Sequence, residues 1–158
     1  MPSKVEISID LKNLDRLNKF SRNQYRADVG IFSSNNKRND TNKLTNAEIG
    51  ARHEYGVMSE NLPRRSFLKD PLTIKGNDVI NKANELIKKN LFTDNGTKNT
   101  VQSLGMFAES IVVQAFETGG FGTWTPLSYK TISEKGHTQI LLDTLQLKNS
   151  IASRVKKL

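Results

Sequence analysis

Thr100-Val101-Gln102-Ser103-Leu104-Gly105-Met106-Phe107-Ala108-Glu109-Ser110-Ile111-Val112-Val113-Gln114-Ala115-Phe116-Glu117 is the stretch on which the fold turns. Val101, Leu104, Phe107, Ala108, Ile111, Val112, Ala115 and Phe116 recur at steps of three and four, the period of a helix with a broad apolar face. Gly119-Gly120 stops it. Upstream, Val79, Ile80, Ala83, Leu86, Ile87 and Leu91 line one side of a second helix, with Asn77 or Asp78 as its cap and Lys82, Glu85, Lys88 and Lys89 on the other side.

Further out the period changes to two. Tyr25, Ala27, Val29 and Ile31 read as a strand, as do Val5, Ile7, Ile9 and Leu11, with a short helix over 13–21 between them. Residues 151–158 read as a returning strand. The sum is an α+β fold: a small, mainly antiparallel sheet packed against the two longer amphipathic helices. No repeat and no linker divides the chain, so residues 1–158 are expected to form one domain.

Between these elements lie shorter features. Thr45-Asn46-Ala47-Glu48 has capping-box spacing, and a helix from there is expected to end at Gly56. Residues 33–43 contain no apolar side chain to bury against the entropy of ordering, which predicts a mobile loop. Residues 61–71 carry a proline near each end with Leu62, Phe67 and Leu68 between, and read as an extended, hook-like connection. Ser128 is placed to cap a short helix through Lys135, stopped by Gly136, and Asp143 or Thr144 to cap one further turn or two.

Composition closes several functional classes. The chain has 158 residues, no cysteine and two histidines, so thiolate metal sites, disulfides and thiol nucleophiles are excluded. Only 35% of residues are hydrophobic, mean hydropathy is −0.55, and no apolar run approaches the ~20 residues of a membrane span. A soluble protein is expected, and Glu6 and Asp10 interrupt the apolar stretch a signal peptide would need. Net charge is +8, shared equally between the two halves of the chain, with its densest cations in Lys130, Lys135, Lys148, Arg154, Lys156 and Lys157. Such a surface keeps a protein in solution or meets a polyanion.

Catalytic patterns are weak. His53 and Glu54 are sequence neighbours pointing about 100° apart on a helix, not the i, i+4 pair of a zinc helix. His137 with Asp143 and nearby hydroxyls has no triad spacing, and Gly119-Gly120-Phe121-Gly122 lacks the Lys-Ser/Thr pair of a phosphate loop. No enzyme, cofactor or metal is expected. Arg64-Arg65 reads either as a phosphate clamp or as an anchor to carboxylates of the same chain or a neighbour. Trp124 reads either as a core residue or as an interface anchor.

Two segments resemble the phage tail-completion and virion-morphogenesis family. One is Ala47 to Gly56, a small helix closing on Glu54-Tyr55-Gly56, followed by Leu62-Pro63-Arg64-Arg65-Ser66-Phe67-Leu68. The other is Trp124-Thr125-Pro126-Leu127-Ser128, then Thr131-Ile132, Lys135-Gly136, Ile140 to Thr144 and Leu147-Lys148-Asn149-Ser150-Ile151. The family carries glycine after Asp-Thr where this chain has Leu145, which favours a regular helical turn there over a positive-φ turn.

The resemblance implies a structural virion protein that completes the head-proximal end of a tail and joins it to the head connector as a ring, with a hexamer as the expected ring. It implies host cytoplasm during assembly, then the neck of the virion, and as partners the tail terminator or tail tube, the head connector and genomic DNA in the lumen, with no membrane. Arg64, Arg65, Phe67, Trp124 and Lys148 are the candidate subunit or ring contacts. A tail terminator, or a sequence-independent DNA-binding protein, is the alternative.

Overall fold

The computed structural model describes residues 11–39, 44–141 and 145–158. The elements in chain order are α1 (Leu11–Arg22), β1 (Tyr25–Ile31), α2 (Asn46–Tyr55), α3 (Lys69–Ile74), α4 (Gly76–Asn90), α5 (Gly96–Thr118), α6 (Tyr129–Lys135), α7 (Gln146–Asn149) and β2 (Ile151–Lys157). β1 and β2 pair antiparallel from Tyr25↔Lys157 to Ile31↔Ile151. The fold is the expected α+β, with mixed helix and a small antiparallel sheet.

α5 is the axis. It packs against both strands and, along its length, against α4. The sheet comes close because Gly105 has no side chain: a Cβ there would lie 3.0 Å from the Ala27 Cβ and 3.4 Å from the Ser153 Cβ. Toward its C-terminal end α5 supplies Val112, Ala115 and Phe116 to a core completed by Phe67, Trp124, Leu147 and Ile151. The Phe116 ring sits 5.2 Å from Phe67 and 5.8 Å, edge-on at 90°, from Trp124, within the range of favourable aromatic pairs.

Several local expectations hold as read. Thr45 and Glu48 form both halves of the capping box of α2, and Ser128 Oγ accepts from Thr131 N at the start of α6. Others change. α5 begins at Gly96, four residues before Thr100. α4 begins at Gly76 without a side-chain cap, with only Lys75 between it and the end of α3, so neither Asn77 nor Asp78 has the capping role. The last part of the 61–71 connection is not extended: Lys69, Asp70 and Pro71 are the first turn of α3. Leu145 adopts φ +59, so the positive-φ turn persists without glycine and the expected regular helical turn at that residue is overturned.

In the 33–43 segment, Ser33–Asn35 form a 3-10 turn. Polar rather than apolar contacts hold the described part: Asn36 Oδ1 accepts from Ala47 N at 2.7 Å, and Asn46 Nδ2 donates to Asn35 O at 3.1 Å. The expected strand at residues 5–11 lies outside the described residues up to Asp10, while Leu11 opens α1. Asp143 and Thr144 also lie outside them. Among the described residues no helix is long and apolar enough to cross a membrane.

Candidate functional site: a clasp between the two motif segments

The site is built around Glu54, in the last turn of α2 and 6% exposed. Its carboxylate accepts from Ser66 Oγ (2.7 Å), Phe67 N (2.9 Å), Leu68 N (3.0 Å) and Lys69 N (3.0 Å). Ser66 Oγ in turn accepts from Asp70 N at 3.0 Å. The next residue, Pro71, has no N–H to satisfy. The opening amides of α3 are therefore all accounted for by two side chains, as burial requires. This explains why the hook turns helical at Lys69.

The hook is fastened on its other side as well. Arg65 N donates to His53 O at 2.7 Å. The Arg65 side chain, 6% exposed, donates from Nε to Thr125 O (3.0 Å) and from Nη2 to Pro126 O (3.3 Å). Trp124 Nε1 donates to Ser66 O at 2.8 Å. Gly120, at φ +68, gives the Trp124 ring its place, because a Cβ there would lie 2.2 Å from Trp124 Nε1. Segments some sixty residues apart thus interlock through reciprocal hydrogen bonds.

Five side chains were expected to face a neighbouring subunit or ring, and the structure divides them. Phe67 (1% exposed), Arg65 and Trp124 are buried in the subunit itself. Most of their surface is spent on the core and the clasp of the subunit itself. Among the described contacts the Arg65 guanidinium donates to backbone carbonyls rather than to a carboxylate. Arg64 points outward and forms a two-pronged pair with Asp70 at 2.6 and 2.7 Å, which holds the Asp70 carboxyl below the usual carboxylate range. Lys148 pairs with Glu117 at 2.7 Å. Arg64 and Lys148 remain the accessible members of the set.

Beside the clasp runs a groove of about 650 Å³ between Leu62-Pro63 and Thr125–Ser128, with His53 and Lys135 on its walls. His53 Nδ1 is buried without a hydrogen-bond partner. Burial first, and then the positive charges of Arg65, Arg52 and Lys135, push its pKa down to about 4. The imidazole is therefore neutral at pH 7, and the neighbouring Glu54 carboxylate is engaged by the hook. Among the described residues no group of three or more His, Asp or Glu could hold a metal ion.

Sequence reasoning met Glu54 as the neighbour of His53 and within the Glu-aromatic-Gly step, and missed its role. A signal existed: a carboxylate in the last turn of a helix opposes the helix dipole and calls for another partner. Comparison of the chain with protein-family models, with curated proteins and with solved structures returns no match in any of the three.

Proposed function

We propose that the chain is a non-enzymatic structural protein of a phage neck, completing the head-proximal end of the tail and joining it to the head connector as a ring. The observation that carries this reading is the clasp. The two segments that resemble the tail-completion family are separate in sequence, yet Arg65 reaches Thr125 and Pro126 while Trp124 reaches Ser66. A chance pair of motifs has no reason to meet residue by residue; two halves of one fold signature do. The motif residues then act as scaffold, and the contacts with neighbours fall to the outward-facing side chains, Arg64 and Lys148 among them.

Particles produced from a phage genome in which this reading frame carries an early stop codon test the proposal. The expected result is heads and tails that fail to join, restored by supplying the chain in trans. Joined, infectious particles in its absence would contradict it.

A further inference from the structure

The sheet has a second face that the core does not use. Alternation along the strands puts Ala27 and Ser153 toward Gly105 of α5, so Arg26, Asp28 and Gly30 of β1 and Ala152, Arg154 and Lys156 of β2 project from the opposite side. The register sets Arg26 beside Lys156, Asp28 beside Arg154 and Gly30 beside Ala152. Among the described residues this side is open: a Cβ built on Gly30 would meet nothing within 4 Å.

The charges on it are unbalanced. Asp28 is shared by Arg26, at 2.8 Å, and Lys156, at 3.8 Å. Arg154 lies over the Phe32 ring, 4.2 Å from its centroid, and donates to Ser34 Oγ. Those contacts fix the guanidinium in place without neutralising it. Among the described residues three cations stand against one carboxylate on a short ribbon, with Arg154 and Lys156 about 6.7 Å apart along one strand.

We propose that this outer face of the sheet binds the phosphate backbone of duplex DNA without reading its sequence. Its chemistry favours DNA over an acidic protein. A protein interface draws its strength from a buried aromatic or aliphatic anchor inside a polar rim. Here the small residues Gly30 and Ala152 supply none, and the Phe32 ring is occupied by Arg154. A row of cations on a polar ribbon matches backbone contact, which needs charge and no base readout. The inference stands on the isolated chain.

The test is fluorescence anisotropy of a labelled duplex of mixed sequence with the full-length chain, across a salt series. Wild type is expected to bind at low salt and to weaken steeply as salt rises. R154Q/K156Q should bind about tenfold or more weakly and lower the log–log salt slope by about two, one per lost phosphate contact. Asp28→Asn, which releases Arg26 and Lys156 from their shared acid, should tighten binding about two- to fivefold. K88Q/K89Q, exposed on α4, removes the same net charge and should leave the slope within half a unit of wild type, about the measurement error. Thermal melts establish that each variant is folded, and the gain expected of Asp28→Asn keeps the test decisive if the double variant is not.

Absence of wild-type binding at low salt would overturn the proposal, as would equal weakening by K88Q/K89Q. Competition by polyglutamate as effective as that by duplex, at equal charge, would overturn it in favour of an acidic protein partner. Failed joining without the chain combined with no DNA binding would sink this inference and leave the neck reading standing. DNA binding with normally joined particles would do the reverse.

Discussion

Glu54 shows what one side chain does here. At the C-terminal end of α2 its charge faces the negative end of the helix dipole, an arrangement that four donors from Ser66 to Lys69 offset. Glu54→Gln replaces one accepting oxygen by a donor facing other donors, so unfolding in urea is expected to show a loss of about 2–4 kcal/mol. Leu145 is the opposite case, a residue kept in a conformation that suits glycine, at φ +59 and 46% exposed. Leu145→Gly is expected to raise stability by about 0.5–1 kcal/mol in the same assay, because relief of left-handed strain exceeds the loss of a half-exposed side chain. Neither feature was read in advance, although a carboxylate in the last turn of a helix signals that Glu54 needs a partner. The partners of Glu54 lie 12 to 15 positions away along a chain whose turn is not foretold, and a leucine gives no sign that its backbone is left-handed.

At the scale of elements, legibility follows the range of the interaction. The capping box of α2, the apolar period of α5 and the alternation of β1 are set by neighbours within a turn or two, and each was read from sequence. The start of α3 depends on Glu54 of another helix, and α4 follows the end of α3 after Lys75 alone with no side-chain cap, so the boundaries around Lys69 to Gly76 were misread. The spacing between α5 and the sheet is a further case of distant control. Gly105 faces Ala27 and Ser153 at contacts made by Cβ atoms, which cannot swing aside without moving their strands. Gly105→Leu is therefore expected to cost about 3 kcal/mol despite the better helix propensity of leucine, measurable as a lower urea midpoint with an unchanged m-value. A midpoint equal to wild type would mean that the sheet is free to move off α5.

For the molecule as a whole, the clasp joins α2, the hook and the Trp124 turn into one unit, and acid acts on it through His53. The folded state holds that imidazole neutral with a pKa of about 4, against about 6.5 in the unfolded chain. Between those values falling pH protonates the unfolded state first, so stability declines as pH drops from about 6.5 toward 4 and the effect levels off below. His53→Gln should flatten this window by about 2 kcal/mol, read from urea unfolding near pH 7 and near pH 4, allowing for the part of the ring that water reaches.

The same view separates scaffold from contact surface. Phe67, Arg65 and Trp124 hold the fold, while Arg64, Lys148 and the outer sheet face look outward. Sequence alone could not draw that line, because an arginine tied to backbone carbonyls and one on the surface are spelled alike. The measurement that bears most directly on the account is a reconstruction of the assembled particle by electron cryomicroscopy at a resolution that traces side chains. The account predicts a ring of copies of this chain at the head–tail junction, with the clasp intact inside each subunit. A junction built without this chain, or the chain located elsewhere in the particle, would contradict it.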